Sequence, residues 1–303
     1  MGFIIVLIKN NMQKNYGFSL KLEQEHAKPE DWRFGSIPSC LAQIPEDFRE
    51  VYLPIGELQK GVEDFQDCAS RSILNILETK FNWLIKNKKL SFSNEMWLKE
   101  MGYWTPRGIE FSDAFVAINS GTTREGNSLK APLDAARKQG LIPKSLLPAK
   151  PDMTWEMYHN PERITSLMVR LGADFASRFF INYEKVYEKY YKKLLKQDML
   201  DVAGYAWPEP VNGEYPNPGE AQPNHAFAII KNPAYFIFDN YLDEGKPEDW
   251  IKKLASDYSL LSYGYRLSIN QKAITPIKSF GQRFKEWLSY YFPKKCPTGG
   301  FHA

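Results

Sequence analysis

Helix-type and strand-type patterns occupy different parts of this 303-residue chain, and that separation limits the folds open to it. Up to about residue 200, apolar residues recur at spacings of three and four, as in helices with one buried face. After Asp201 a Pro- and Gly-rich stretch over 203–223 leads into short runs rich in β-branched and aromatic residues. This order predicts an α+β fold with two lobes.

Several segments of the first 200 residues carry helix signals. The apolar periodicity predicts a helix over 67–86 with one buried face, and Asp67 is a suitable N-cap for it. Further helices are predicted over SNEMWLKEMG, IEFSDAFVAINSG and the segment that Gly140 ends. A stripe of aromatic residues predicts a long helix over 179–199.

Strand signals concentrate in the last third. The sequence HAFAIIKNPAYFIFDNY contains two β-rich runs split by Asn232-Pro233, which predicts a hairpin. The sequence YSLLSYGYRLSI predicts one or two further strands. The loop over 203–223 is too long for a simple connection, and such loops often carry function, so we expect it to border the site.

The same change in pattern gives the expected domain boundaries. Residues 1–36 are expected to form an N-terminal extension and residues 37–270 the main domain. The helical lobe is expected over about 37–200 and the β lobe over about 201–270. Residues 271–303 contain an amphipathic helical pattern, SFGQRFKEWLSYYF, followed by a tail with Pro and Gly.

A short apolar run from Phe3 to Ile8 opens the chain. It is too short for a membrane-spanning helix and lacks the cleavage site of a signal peptide. We interpret it as a short strand, or as sequence upstream of an alternative start at Met12. Since no other apolar stretch approaches the length of a membrane span, we expect no signal peptide and no transmembrane segment.

The composition argues against a nucleic-acid partner and against a disulfide framework. The 39 basic and 36 acidic side chains leave a formal charge of +3, without the strongly basic balance of nucleic-acid-binding domains. The three cysteines, at 40, 68 and 296, have irregular spacing that matches neither a disulfide framework nor a zinc site. This cysteine usage fits a reducing compartment.

One set of residues could carry nucleophilic chemistry. Cys68 stands at the start of the helix over 67–86, where the helix N-terminus favours a thiolate. Of the four histidines only His225 opens a predicted strand, and Asp239 ends the next one, followed by Asn240. Each of these residues alone is more often structural. Together they supply a thiol, an imidazole and a group that can orient the imidazole.

These blocks resemble the papain-like cysteine peptidases, in particular a divergent branch found in bacteria and phages. The sequence ELQKGVEDFQDCASRSILNILE is similar to that branch's block of a glutamine, a spacer, a cysteine and an apolar helix. The sequence HAFAIIKNPAYFIFDNY is similar to its histidine block followed by its Asn/Asp block. The resemblance covers roughly Pro38 to Ile269 and implies a papain-like fold, with an active-site cleft between a helical lobe and an antiparallel β lobe.

The resemblance also implies a role for each matched residue. Cys68 matches the nucleophile and His225 the general base and acid. Asp239 matches the position of the orienting residue, with Asn240 as the alternative. Gln59 matches the glutamine whose side-chain amide forms the oxyanion hole together with the backbone N–H of the cysteine.

The sequence departs from the family's pattern around the cysteine. Gln59 stands farther from Cys68 than the family spacing, which keeps Gln66 open as the oxyanion donor. Asp67 directly precedes the thiol, and a carboxylate there raises the pKa of the thiol unless it turns away to cap the helix.

The resemblance implies a cysteine endopeptidase that hydrolyses a peptide or protein substrate through a thioester acyl-enzyme. Transfer of the acyl group to an amine uses the same residues and stays open. So does a catalytically inactive papain-like structural or binding module, for example of a virion. The expected location is cytoplasmic or virion-associated.

Neither a metal nor another cofactor is expected. No two histidines stand at i, i+4, and Cys40, His26 and Cys68 lack the spacing of metal ligands. The Gly-containing segment NSGTTREGNS lacks the terminal Gly-Lys-Ser/Thr of a phosphate-binding loop.

Overall fold

Helices precede most of the strands, as the sequence predicts. The computed structural model describes residues 16–28, 42–232, 234–241 and 250–272. Its α-helices are α1 (Leu20–His26), α2 (Cys68–Lys86), α3 (Phe92–Glu100), α4 (Asp113–Asn119), α5 (Lys130–Gln139), α6 (Trp155–His159), α7 (Ser166–Arg178) and α8 (Tyr191–Leu195). Its strands are β1 (Trp104–Thr105), β2 (Gly108–Ile109), β3 (Phe179–Tyr187), β4 (Leu200–Gly204), β5 (His225–Lys231), β6 (Tyr235–Phe238), β7 (Ile251–Leu254) and β8 (Tyr263–Gln271). Short 3-10 helices cover Glu46–Tyr52, Lys144–Leu146, Pro161–Arg163 and Glu188–Tyr190.

The β lobe is a six-stranded sheet in the order β3-β8-β4-β5-β6-β7. All neighbouring strands in it are antiparallel, and β1 and β2 form a separate two-stranded ribbon. The predicted hairpin is present, because β5 pairs with β6 in a register that shifts between Ile229 and Lys231. The predicted α+β class, helices with an antiparallel sheet, is therefore confirmed.

The predicted long helix over 179–199 is wrong. Residues Phe179–Tyr187 form β3, which pairs with β8 along its whole length, and only Tyr191–Leu195 are α-helical. Alternation explains the difference, because Phe179, Ile181 and Tyr183 are buried whereas Phe180 is 42% exposed. A sequence rich in aromatic and β-branched residues favours a strand once a partner strand is available.

Helix α2 lies between the rest of the helical lobe and the sheet. Its predicted apolar face is buried, including Ile73, Leu77 and Phe81. The opposite face is buried as well, and its polar groups pair inside the protein. Ser72 Oγ donates to Asp201 at 2.5 Å, for example. The helix is therefore buried along most of its length, and only its last residue, Lys86, is exposed.

A buried ion pair anchors the middle of α2. Lys80 Nζ contacts the Asp198 carboxylate and donates to the backbone carbonyl of Ala42 at 2.9 Å. Both side chains are fully buried, and Arg266 Nε donates to the second oxygen of Asp198 at 3.0 Å. Buried polar groups of this kind are costly to leave without a partner.

The described residues up to Gln271 belong to one compact unit, and Lys272 belongs to a second one. The strand pattern predicted for Phe3 to Ile8 and the amphipathic pattern within 271–303 lie outside the described residues, apart from Gln271 and Lys272. Within the described residues, no helix has both the length and the apolar character needed to cross a membrane.

Replacement of Lys80 by Met should lower the free energy of unfolding by about 3 kcal/mol or more, because it leaves Asp198 with one cation fewer in a buried site. Lys86→Met is the matched control, since Lys86 is an exposed lysine of the same helix. We expect the control to change stability by less than about 1 kcal/mol. Urea denaturation measures both values, and equal losses would contradict the account of the ion pair.

Candidate active site

Cys68 is the first residue of α2, and its side chain is fully buried. Its Sγ accepts a hydrogen bond of 3.3 Å from the backbone N–H of Ala226, the second residue of β5. Because α2 packs on β5, the sulfur lies directly beside the strand position that follows His225. The structure thus places Cys68 next to the strand residue that follows His225.

His225 and Asp239 are in direct contact. His225 opens β5, and Asp239 directly follows β6, the neighbouring antiparallel strand. The His225 Nε2 atom lies 2.6 Å from Asp239 Oδ1, with both side chains fully buried. Burial raises the pKa of Asp239, but Lys252 and His225 outweigh it and lower the pKa to about 2. Asp239 is therefore an anion at neutral pH.

Asn240, the alternative orienting residue, forms its hydrogen bonds with α2 and with the segment that contains Gln59. Its Oδ1 accepts from Asn75 Nδ2 on α2 at 3.0 Å, and its Nδ2 donates to the Glu57 carbonyl at 3.0 Å. Its backbone carbonyl accepts from the N–H of Gln59 at 3.3 Å. Of the two candidates, Asp239 is the one that touches the imidazole, while Asn240 ties the Gln59 segment to α2.

Gln59 presents its amide to a peptide carbonyl. Its side chain is fully buried, and Nε2 donates to the backbone oxygen of Tyr16 at 2.9 Å. The same nitrogen lies 3.3 Å from Asp64 Oδ1, which also accepts from the backbone N–H of Gln66 at 2.8 Å. Tyr241 donates its hydroxyl to the other Asp64 oxygen. Asp64 thereby holds the amide of Gln59 in place.

The chain's own N-terminal segment lies against these groups. The Tyr16 oxygen that accepts from Gln59 is also 3.3 Å from His225 Nδ1. The backbone N–H of Tyr16 donates to the Asn224 carbonyl at 3.1 Å, on the β side. On the helical side, Asn127 donates to the Gly17 carbonyl at 2.9 Å and accepts from the Ser19 N–H at 2.8 Å. A peptide segment is thus bound between the two lobes.

Sequence reasoning assigned no role to this segment. The one local signal is Gly17, whose φ of +103° is unfavourable for other residues. A Cβ atom there would lie 2.7 Å from the backbone carbon of Gln66, so the position also lacks space for a side chain. The sequence around Gly17 does not predict this contact, because the contacting residue, Gln66, lies 49 residues later in a different loop.

The surroundings of Cys68 disfavour its thiolate in this state. Burial is the main cause that raises the pKa of the thiol well above its usual value. The hydrogen bond from Ala226 lowers it, while the carboxylates of Asp67, Asp64 and Asp239 raise it further. With the N-terminal segment in place, the thiol is therefore protonated at neutral pH.

Asp67 occupies the N-cap position of α2, but its side chain makes no capping hydrogen bond, so the predicted capping role is wrong. Its carboxylate instead accepts from Arg71 Nε at 2.9 and 3.1 Å and from the Tyr158 hydroxyl at 2.5 Å. Arg71 also lies 3.3 Å from Asp113. The charge next to the thiol is thus turned away from it and paired with a buried guanidinium.

The loop over 203–223 reaches the site, as expected. The ring of Trp207 lies edge-on to the ring of His225, with their centroids 5.6 Å apart. His159, in contrast, lies at the end of α6 with Nε2 2.7 Å from the Phe65 carbonyl, and His26 Nδ1 lies 2.8 Å from Ser128 Oγ. Cys68 is the only cysteine within the described ranges.

No metal-binding cluster of three or more His, Cys, Asp or Glu side chains occurs within the described ranges. Cys40, Cys296 and His302, named in the sequence analysis, fall outside those ranges.

Comparison with solved structures identifies the architecture. The structure is similar to that of xylellain, a cysteine protease from Xylella fastidiosa, with a TM-score of 0.53 and 13% identity, covering 84% of this chain and 97% of that one. It is also similar to the proform of the Amb a 11 cysteine protease, a major ragweed pollen allergen, with a TM-score of 0.50 and 11% identity, covering 86% of this chain and 77% of that one. No protein-family model matches the sequence, and no curated protein matches it. The chain therefore has the fold of the papain-like cysteine proteases.

Proposed function

We propose that this protein is a cysteine endopeptidase in which Cys68, His225 and Asp239 form the catalytic triad. The observation that carries the proposal is a peptide carbonyl, that of Tyr16, whose oxygen accepts a hydrogen bond from Gln59 Nε2 at 2.9 Å and lies 3.3 Å from His225 Nδ1. The other ring nitrogen of His225 is held by Asp239. The likeness in fold to cysteine proteases supports the same proposal.

In the proposed reaction, His225 takes the proton of the Cys68 thiol as Sγ attacks the carbonyl carbon of a peptide substrate. The oxyanion that forms is stabilised by the amide of Gln59 and by the backbone N–H of Cys68. His225 gives its proton to the departing amine as the C–N bond breaks, which leaves a thioester on Cys68. His225 then deprotonates a water molecule that attacks the thioester, releases the acid and restores the thiol.

Asp239 contributes by fixing the imidazole. Its short contact with Nε2 keeps a proton on that nitrogen, which leaves Nδ1 as the ring atom that takes up and gives away a proton in the reaction. An anion at this position also stabilises the imidazolium that forms when His225 takes a proton.

The burial of Cys68 favours a second candidate, an inactive module with the same fold. A thiol with a raised pKa is a poor nucleophile, and the N-terminal segment covers the groups that a substrate would need. The two candidates differ in what release of this segment does. In an enzyme it exposes a reactive thiol and yields turnover, whereas in an inactive module it yields neither.

Gly17→Ala should release the segment, because its Cβ would collide with the backbone of Gln66 at a φ that side chains rarely adopt. We expect the alkylation rate of Cys68 by iodoacetamide at pH 7 to rise at least about tenfold, since the thiol loses much of its burial. Peptide mass spectrometry measures the rate at each cysteine.

Gly121→Ala is the matched control. Gly121 also has a positive φ, +72°, but nothing lies within 4 Å of an added Cβ there. Its alkylation rate should equal that of the unmodified protein. An equal rise in both variants, or no rise in Gly17→Ala, would contradict the covering role of the segment.

In the Gly17→Ala protein, Gln59→Ala should lower kcat/KM for peptide hydrolysis by about 100- to 1000-fold, the usual cost of losing one oxyanion donor. Alkylation of Cys68 should not slow, because that reaction forms no oxyanion. Gln66→Ala serves as the control and should change kcat/KM by less than about tenfold. A large loss in Gln66→Ala with little loss in Gln59→Ala would reverse the assignment of the donor.

A further inference from the structure

A buried lysine lies behind the His225–Asp239 pair. Lys252 belongs to β7, where it pairs with Ile237 of β6, two residues before Asp239. Its side chain is 1% exposed, and its Nζ lies 3.0 Å from Asp239 Oδ2. The ammonium also donates to the backbone carbonyl of Tyr241 and lies 5.7 Å from the centre of the Trp207 ring. No step of the proposed reaction uses it.

The two oxygens of Asp239 have different partners. Oδ1 receives the imidazole at 2.6 Å and the backbone N–H of Asn240 at 2.7 Å. Oδ2 faces the ammonium of Lys252. This division fixes the rotation of the carboxylate, and with it the direction of the His225 ring. It also places a cation directly behind the carboxylate that contacts the imidazole.

Among the described residues, aromatic rings make most of the other contacts of His225. The rings of Tyr16 and Tyr241 lie edge-on to the imidazole, at 5.9 and 5.2 Å between centroids. Trp207 and Phe227 complete the ring contacts. From α2, the thiol of Cys68 is next to the strand, and Asp67 behind it is paired with Arg71. Asp64 acts on the region through the Tyr241 hydroxyl and Gln59.

We propose that Lys252 is a positioning residue that balances the charge of Asp239 and thereby sets the pH range in which His225 exchanges its proton. The inference rests on the proposed function, because the proposed peptidase reaction is the process in which His225 exchanges a proton. With Lys252 present, protonation of the ring places a second cation next to the Asp239 carboxylate. Without it, protonation neutralises a buried anion, so the ring holds its proton up to higher pH.

The signs of three substitutions follow from this balance. Lys252→Met removes the cation and should move the titration of the His225 ring to higher pH by about one unit or more. Asp239→Asn leaves the cation without its anion and should move it to lower pH. The double variant Asp239→Asn, Lys252→Met lacks both charges and should titrate between the two single variants. A lysine that only stabilised the fold would not produce shifts of opposite sign.

The test is an NMR titration of the histidine rings in the Cys68→Ala protein, with the His225 signal assigned by its loss in His225→Gln. Lys252→Arg keeps the charge and should restore the unmodified titration. Lys253→Met is the matched control, because Lys253 lies next to Lys252 on β7 with 43% of its side chain exposed. It should leave the titration unchanged.

An unchanged His225 titration in folded Lys252→Met protein would overturn the proposal, and so would an equal shift in Lys253→Met. If Lys252→Met does not fold, the proposal is tested by comparing the double variant with Asp239→Asn. His225 should titrate at lower pH in Asp239→Asn than in the double variant, and equal titrations would overturn the proposal. The readout needs no turnover. Failure of the proposed function, seen as absence of hydrolysis in Gly17→Ala protein, is therefore distinct from failure of this inference.

Discussion

The packing of the first turn of α2 on the first residues of β5 is the contact on which the candidate site depends. It joins Cys68 Sγ to the backbone N–H of Ala226 at 3.3 Å, across more than half of the chain. Both partners are buried and both belong to regular elements, so their backbones have little freedom. The side chains of Cys68 and His225 are therefore attached to backbone that moves little. A preorganised nucleophilic site requires such fixed positions.

Charge pairing is the second constraint, because three carboxylates surround the thiol and the imidazole. Asp67 is paired with Arg71 at 2.9 Å, and Asp239 with Lys252 at 3.0 Å. Asp64 receives hydrogen bonds in place of a cation, among them one from Gln59. A buried carboxylate without such partners would be costly and would hold protons on neighbouring groups. Each of these carboxylates has a partner in the protein, although all three still raise the pKa of the Cys68 thiol.

The sequence predicts local features well and long-range ones poorly. Periodicity and turn residues predict the helix that starts near Cys68 and the hairpin after residue 224, whereas the grouping of Cys68, His225 and Asp239 is what the family resemblance implies. The strand at Phe179–Tyr187 was missed because its aromatic residues fit a helical stripe as well as a strand, and only β8 decides between them. The sequence gives only a weak indication that Lys252 is buried. Alternation along Ile251–Leu254 places Lys252 on the same face as buried Leu254. What it contacts depends on a neighbouring strand that no local pattern specifies.

The central claim is that Cys68 and His225 act together as an acylating pair. The most direct measurement is the site at which a peptidyl vinyl sulfone adds to the Gly17→Ala protein at neutral pH, with and without the second change His225→Ala. The account predicts one adduct, on Cys68, that disappears when His225 is replaced. Equal addition to Cys40, Cys68 and Cys296, or an adduct on Cys68 that persists without His225, would contradict it.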